Sequence, residues 1–341
     1  MQHLVLIGLA GGLASAVLFI AATVSGGAIA GGIDLRVLLY FLAPLPAFLA
    51  GLGWGPIAAV AAAVASGVGC GLLRGLTAGL MVFVSQGLPM VLVCYLAQLQ
   101  RGASAAPPPV MAGNAERPGV PTLTATEWYP VGRLVAVAVL MAGAFAFLSV
   151  LLLGDIDQLR GLIRKLVDNV FLKQLPGLKD RKLEEADIQS LTEIMLYAFP
   201  AAMALTWLGT FLMNFYIAGR ITLASGRLPR PWPDLAAMTY PRGFAFGLAL
   251  SLGLAGVVAD TPALFASGFA GALLFAYLLM GLAVLHHVSR GKPARPFMLW
   301  GVYVGVVVLN PWAGIVLALL GLIEPFLPWR RSRLPGAEHP D

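Results

Sequence analysis

The stretch LVAVAVLMAGAFAFLSVLLLGDIDQLRGLIRKLVDN, residues 134–169, decides the fold of this chain. Its first part, residues 134–153, is an apolar run of about 20 residues, the length of helix that crosses a hydrocarbon core about 30 Å thick. Its second part, from Asp155 onward, is charged and amphipathic. This junction predicts a helix that leaves the bilayer and is followed by a helix outside it.

The composition of the whole chain favours a membrane protein. Of its 341 residues, 59% are hydrophobic and 11% are charged, whereas soluble domains have roughly 25% charged residues. The formal charge of +6 comes from basic residues in short clusters between apolar runs. That distribution indicates membrane orientation rather than nucleic-acid binding.

Nine apolar runs meet or approach the length of a membrane span. They lie near residues 4–24, 36–53, 56–73, 76–96, 134–153, 191–217, 244–258, 263–285 and 297–322. No Lys or Arg precedes the apolar part of the first run, which favours a first span over a cleaved signal peptide. The predicted fold is an all-α, polytopic transmembrane bundle of about 9–10 membrane segments with an external amphipathic helical insertion.

Composition shifts divide the chain into four parts. Residues 1–98 are predicted to form a four-helix membrane half. This half is rich in Gly and Ala, and such small residues allow helices in lipid to approach closely. Residues 99–130 form a Pro-rich cytoplasmic linker with too few apolar groups to fold. Residues 131–328 form a second membrane half that includes external amphipathic helices over 155–190, and residues 329–341 form a cytoplasmic tail.

The basic clusters predict an orientation in the bacterial inner membrane. With a cytoplasmic N-terminus, most of them fall on the cytoplasmic side, namely Arg101, Arg117, Arg133, Arg220, Arg227, Arg230, Arg242, Arg290, Lys292 and Arg295. Seven basic residues in the external segment count against this orientation. One unbroken last helix would also leave Arg330 outside. A break at Asn310-Pro311 into two short helices would return the tail to the cytoplasm, and this interpretation is preferred.

The external segment has the spacing of an amphipathic helix. Its apolar stripe consists of Leu159, Leu162, Ile163, Leu166, Val167, Val170 and Phe171. Such a helix lies in the membrane interface or covers the mouth of the bundle. It is either a lid or docking surface, or a connector whose apolar face simply packs. Pro176 and Gly177 end it, and Asp180 is the predicted N-cap of a second helix that enters the membrane at Ile194.

Four segments carry a resemblance to a known family. They are TEIMLYAFPAAMALTWLGTFLMNFYIAGR (192–220), GLAGGLASAVL (8–18), YFLAPLPAFLAG (40–51) and LGLIEPFLPWRRSR (320–333). Together they resemble the YybS-like family of predicted bacterial membrane proteins, which implies a fold and a location rather than a mechanism. The helical plan is similar to that of the substrate-binding subunits of energy-coupling factor transporters. This similarity implies that Ala10 and Ala14, a small-residue motif, contact a membrane protein partner.

Polar or helix-breaking residues inside apolar runs are the candidate ligand-binding groups, because polar groups are costly in hydrocarbon. They are Tyr40, Pro44, Pro46, Gln86, Pro89, Asn214, Asn310, Pro311 and Glu324. Each also has a structural interpretation. The Gln86 amide could fix helix packing, Asn214 could cap a helix end, and Glu324 could be an interfacial carboxylate.

No catalytic signature accompanies these residues. The sequence has no GxxxxGK[ST], HExxH or GxSxG motif and no carboxylate pair within a span. Cys70 and Cys94 are expected to be small buried hydrophobes, and the adjacent His286 and His287 point to different sides of a helix. We therefore expect no enzyme activity, no cofactor, no metal and no nucleic-acid partner.

Two functions remain. The leading hypothesis is binding or transport of a small apolar or amphipathic solute, as a transporter subunit in contact with the lipid bilayer. The alternative is a membrane scaffold that recruits protein partners through its amphipathic helix, its Pro-rich linker or its basic loops. An enzyme acting on lipid is a distant third possibility, since no nucleophile and base can be paired.

Overall fold

The structure, a computed structural model, describes residues 1–23, 34–102, 126–172, 184–309 and 311–326. Thirteen α-helices lie within these ranges: α1 (Gln2–Thr23), α2 (Leu35–Leu42), α3 (Leu45–Trp54), α4 (Pro56–Arg74), α5 (Leu76–Val82), α6 (Leu88–Gln98), α7 (Val131–Leu152), α8 (Ile156–Leu166), α9 (Glu185–Ala224), α10 (Phe244–Val257), α11 (Asp260–Val288), α12 (Arg295–Val308) and α13 (Trp312–Ile323). Two π-helical segments, Phe83–Gly87 and Val167–Leu172, and two 3₁₀ turns, Leu235–Ala237 and Glu324–Phe326, complete the helical structure there.

The helices confirm the predicted all-α polytopic membrane bundle. Within the described residues, seven helical segments are long and apolar enough to cross a membrane. They are Gln2–Thr23, Leu35–Trp54, Pro56–Arg74, Leu76–Gln98, Val131–Leu152, Glu185–Ala224 and Asp260–Val288. Three shorter apolar helical segments, Phe244–Val257, Arg295–Val308 and Trp312–Phe326, follow the pattern of the remaining apolar runs.

The chain forms two compact units that alternate along the sequence. The first unit contains Met1–Leu134 and Phe215–Trp232, and the second contains Val135–Asn214 and Pro233–Asp341. The long helix α9 therefore contributes its N-terminal part to the second unit and its C-terminal part to the first.

A short sheet closes the two ends of the Pro-rich segment in the first unit. Strand β1 (Gln100–Gly102) pairs antiparallel with β2 (Thr126–Trp128), and Arg101 lies opposite Glu127. The Arg101 guanidinium contacts the Glu127 carboxylate at 2.6 Å. Residues 103–125, most of the predicted linker, lie outside the described residues.

Glycines allow α1 and α4 to pack at backbone distance. A Cβ atom at Gly8 would meet the carbonyl oxygen of Ala58, and one at Gly12 would meet that of Ala62. Ala10 and Ala14, two residues further round the helix, are exposed. The close packing predicted for the Gly/Ala-rich half is thus present, and Gly8 and Gly12 form its contact.

The second span is broken, as its two prolines predict. Helix α2 ends at Leu42 and α3 begins at Leu45, with a turn at Ala43 and Pro44. The N–H of Ala47 donates to the Ser15 hydroxyl of α1 over 3.1 Å. A side chain from another helix therefore satisfies a backbone donor at the break.

The amphipathic helix α8 packs its inner face against the second unit. Asp155 caps it, accepting a hydrogen bond of 2.8 Å from the N–H of Gln158. Leu159, Ile163 and Val167 are buried in a cluster with residues of α7, α9 and α11, namely Val150, Leu196 and Leu264. Leu162 and Leu166, also in the predicted stripe, are exposed. The apolar stripe of α8 is therefore wider than the face that packs against α7, α9 and α11.

Helix α11 is the centre of the second unit, and two short helices pack along it. Gly281 of α11 abuts Leu317 of α13, while Gly321 of α13 abuts Tyr277, so these helices are antiparallel. Helix α10 packs along the N-terminal half of α11, because Gly247 approaches Leu273. The last apolar run is divided between α12 and α13, as the Asn310-Pro311 pair predicts, although Asn310 itself lies outside the described residues.

Candidate functional site

Gln86 is a polar group inside an apolar span. It lies in the π-helical segment Phe83–Gly87. Its side chain is half-buried, and its Oε1 is buried without a hydrogen-bond partner among the described residues. An unpaired buried acceptor costs about 1–3 kcal/mol, so this oxygen is a candidate for contact with a ligand donor.

Pro89 gives a physical reason for the π-helical segment. Proline has no N–H, and its ring clashes with the carbonyl four residues earlier, here that of Ser85. The backbone widens instead, and the N–H of Leu88 donates to the carbonyl of Phe83, five residues back. Single-turn π-helical segments of this kind often occur at functional sites.

The segment around Gln86 is held firmly against α4. A Cβ atom at Gly87 would lie 3.1 Å from the Cβ of Ala63, and one at Gly67 would lie 2.9 Å from the Cβ of Phe83. The Gln86 amide is therefore carried by a backbone that has little freedom to move. The role of Gln86 and Pro89 in ligand binding stays a prediction.

Tyr40, Pro44 and Pro46 belong to a different part of the first unit. Tyr40 is half-exposed, and its ring lies 5.9 Å from the rings of both Phe19 and Phe41. The backbone donor at the break is already used by Ser15. These contacts fit a kink stabilised by packing, and they leave Tyr40 facing outward.

Asn214 is fully buried and bonds to its own helix. Its Nδ2 donates to the carbonyl oxygen of Thr210, one turn earlier in α9, over 2.8 Å. The Thr222 hydroxyl bonds in the same way to the carbonyl of Ala218. Such back-bonding to the helix backbone is a structural role.

Pro311 and Glu324 stand at opposite ends of α13. Thirteen residues of helix span about 20 Å at 1.5 Å per residue, so a single small ion cannot bind both. Glu324 is half-buried. From the contact of Gly321 with Tyr277, it lies near the middle of the length of α11.

A polar pocket of about 430 Å³, which the sequence did not reveal, lies between α8 and the start of α9. It is lined by Arg160, Arg164, Glu185, Gln189, Thr192 and Glu193. The Arg160 Nε donates to Glu193 over 2.6 Å, and Arg164 donates to both oxygens of Glu185 over 2.8 and 3.0 Å. These ion pairs fasten the outer edge of α8. The spacing of apolar residues within each helix does not show which charged residues of the two helices pair.

Tyr240 is a second feature that the sequence did not reveal. Its hydroxyl donates to the carbonyl of Ala276 over 2.6 Å, and its ring lies 4.7 Å from that of Phe244 and 5.8 Å from that of Tyr277. This cluster holds the non-helical segment before α10 against α11.

Cys70, Cys94 and His286, which were considered for metal or redox chemistry, are buried or contact another side chain. Cys70 and Cys94 are buried free thiols, and the His286 ring lies 3.0 Å from the Tyr303 hydroxyl. Within the described ranges, no three His, Cys, Asp or Glu side chains gather in a way that could hold a metal ion.

Comparison with known proteins adds a family. Neither the curated proteins nor the solved structures include a significant match to the chain. A family model described as a predicted membrane protein matches residues 14–324, most of the chain. The chain therefore belongs to the DUF2232 family of predicted membrane proteins.

Proposed function

We propose that this protein binds or translocates a small, largely apolar or amphipathic solute in the bacterial inner membrane. It would act as the membrane-embedded binding subunit of a larger transporter. The observation that carries this proposal is the buried Gln86 Oε1 without a partner among the described residues. The protein would not be an enzyme.

The surroundings of Gln86 define the ligand class. The amide stands in an apolar span, and Phe83 and Met90 lie three residues before and four residues after Gln86 in the sequence. One acceptor in apolar surroundings fits a ligand that has one hydroxyl or amide donor on a hydrocarbon body. A strongly charged ligand would need an opposite charge, and residues 76–98 contain no Asp, Glu, Lys or Arg.

Broken helices support a binding role. Discontinuous spans near the middle of a membrane protein often line transport sites. The span containing α2 and α3 is broken at Pro44, and the span containing Gln86 changes its hydrogen-bond pattern there. The similarity of the helical plan to substrate-binding subunits of energy-coupling factor transporters also supports a binding role.

Ala10 and Ala14 support the partner subunit in this proposal. Both are exposed on α1, whereas Gly8 and Gly12 face α4. The small-residue motif is thus left free by the packing of the first unit. An exposed small-residue surface allows close approach of a second transmembrane helix.

The test compares Gln86→Leu with Ser85→Ala. Ser85 is the neighbour of Gln86, and its hydroxyl bonds to its own helix at Met81, so Ser85→Ala is a matched control. Each protein is purified in lipid nanodiscs, and copurifying small molecules are identified by untargeted mass spectrometry. We expect a solute in the wild type and in Ser85→Ala that is lost from Gln86→Leu. Repeated recovery of empty wild-type protein, with no thermal shift from any solute pool, would contradict transport.

The alternative scaffold function is favoured by one observation. Leu162 and Leu166 remain exposed on α8 although the inner face of that helix is packed, so this edge is available to a partner or to lipid. Crosslinking in native membranes separates the two functions. A stable protein partner that is crosslinked to Gln86→Leu as well as to the wild type would favour the scaffold.

A further inference from the structure

Three arginines in the first unit each lie over a tryptophan ring. The guanidinium carbon of Arg220 is 5.1 Å from the Trp232 centroid, that of Arg227 is 5.1 Å from Trp54, and that of Arg230 is 5.9 Å from Trp128. We call these six residues the Arg–Trp cluster. Cation–π contacts of this kind hold a guanidinium parallel or close to the ring and limit its motion.

Several contacts place the Arg–Trp cluster at one end of the first unit. Gly53, in the last turn of α3, abuts both Thr222 of α9 and the Cβ of Arg227. The Gln98 side chain at the end of α6 donates to the carbonyl of Gly51 over 2.8 Å. The C-terminal ends of α3, α6 and α9 therefore meet there.

Arg230 links the cluster to the strand pair. Its Nη1 lies 3.3 Å from the carbonyl oxygens of Ala97 and Tyr129. These bonds occupy only part of the guanidinium, because its Nε is buried and has no partner among the described residues. Burial also lowers the pKa of Arg230. A partly buried cation without an anion is costly.

The first unit supplies no acid for these arginines. Within its described residues the acidic side chains are Asp34 and Glu127. Asp34 pairs with Arg36, and Glu127 pairs with Arg101. Arg220, Arg227 and Arg230 have no carboxylate partner in that part of the chain, so the Arg–Trp cluster is a positive patch without a neutralising acid.

The chemistry of the patch fits a phosphate at the membrane surface. A guanidinium that stacks by its face keeps its N–H edge free, and this edge binds phosphate oxygens in a bidentate manner. Tryptophan is enriched where the hydrocarbon meets the headgroups, and the ends of three apolar helices bring the patch to that depth.

We propose that the Arg–Trp cluster binds the headgroup phosphate of an anionic phospholipid. Arg220 and Arg227, which are exposed, supply the contacts, and the positive charge of the half-buried Arg230 adds to the attraction. The lipid is favoured over free phosphate because the tryptophans and the apolar helix ends offer contacts for acyl chains as well as for charge.

The test uses native mass spectrometry of the full-length protein with added phosphatidylglycerol or phosphatidylcholine. Each arginine near a membrane surface contributes about 1 kcal/mol, or roughly fivefold, to binding of anionic lipid. We expect tighter binding of phosphatidylglycerol by the wild type. Arg227→Gln should lose roughly fivefold in affinity, and Arg220→Gln with Arg227→Gln roughly 25-fold.

The matched control is Arg74→Gln, which removes an exposed arginine at the end of α4, away from the cluster. It should bind phosphatidylglycerol as the wild type does. All variants should keep the wild-type gel-filtration profile, since no buried side chain is changed. Equal affinity for the two lipids, an equal loss in Arg74→Gln, or full displacement of the lipid by millimolar inorganic phosphate would each overturn the proposal.

Discussion

At the scale of single residues, a missing side chain determines how the first unit packs. Gly8 and Gly12 let α1 approach the carbonyl oxygens of Ala58 and Ala62. In lipid, where apolar burial gives helices no advantage, such close van der Waals contact is a main source of association. A residue as small as alanine at either position would meet backbone atoms, which cannot move aside as a flexible side chain can.

Gly12→Val should therefore destabilise the first unit. Overpacking of a tight contact costs about 1–3 kcal/mol, and here the obstacle is the backbone of α4. The measurement is the unfolding temperature of the purified protein in detergent. Ala10→Val, on the exposed side of the same helix, is the control and should leave that temperature unchanged. If both variants lost the same stability, the close contact of α1 with α4 would be wrong.

Sequence alone could place the small-residue motif on α1 but not choose its face. Gly8, Ala10, Gly12 and Ala14 form two overlapping small-xxx-small pairs, and only the partner helix decides which pair is buried. Gln86 and Pro89 were identifiable because a polar group and a proline inside an apolar run are both costly. The absence of a partner for the Gln86 Oε1 depends on neighbours that the local sequence does not show.

At the scale of elements, α8 shows why an apolar stripe overestimates a buried face. The stripe contains Leu159, Leu162, Ile163 and Leu166, but the contact with α7, α9 and α11 covers only the side that includes Leu159 and Ile163. The other side remains open. Periodicity thus predicted the helix, whereas the ion pairs of Arg160 and Arg164 depend on how α8 and α9 pack against each other.

Ile163→Ala should loosen α8. Truncating a large buried aliphatic side chain costs about 2–5 kcal/mol, and Ile163 is only 3% exposed. Limited proteolysis of the segment after α7 is the measurement, and cleavage should become faster. Leu162→Ala, one residue away and 47% exposed, should be cleaved like the wild type. Resistance of Ile163→Ala would show that the apolar face does not hold the helix.

The pairing of Asp234 with Arg290 predicts a dependence on pH. Arg290 donates to Asp234 over 2.5 and 2.8 Å and holds the pKa of that carboxyl below its usual value. Because the folded pKa is lowered, the stabilisation is complete above the unfolded value of about 3.9 and is lost as the pH falls through the folded pKa.

The contribution of this pair to thermal stability should therefore stay constant between about pH 5 and 8. Below about pH 4 the wild type should lose a small increment that Arg290→Gln lacks. The increment is small because both side chains are nearly half-exposed, and water screens such pairs. Identical acid profiles of the two proteins would show that the ion pair contributes nothing.

At the scale of the whole molecule, run length predicted the membrane architecture because the hydrocarbon thickness fixes how long a helix must be. The short runs were harder to interpret. Residues 244–258 form a helix of only 14 residues, and residues 297–322 form two. The sequence did not predict the strand pair at the ends of the Pro-rich segment, because its strands have only three residues each. A cross-strand ion pair joins them.

The distribution of basic residues predicts that α8 and the loop after α9 lie on opposite sides of the membrane. After replacement of Cys70 and Cys94 by alanine, a single cysteine is introduced as Lys165→Cys or as Ser225→Cys, both exposed positions. A membrane-impermeant maleimide added to intact cells should label only Lys165→Cys, and permeabilised cells should show both. Labelling of Ser225→Cys in intact cells would reverse the orientation.

The most direct test of the central claim is an experimental density map of the protein, purified in lipid nanodiscs without added ligand. That claim is that a broken apolar span presents the Gln86 amide to a bound solute. We expect non-protein density within about 3 Å of the Gln86 Oε1, the distance of a hydrogen bond. A map in which that oxygen accepts a hydrogen bond from a neighbouring helix, with no other density beside it, would contradict the account.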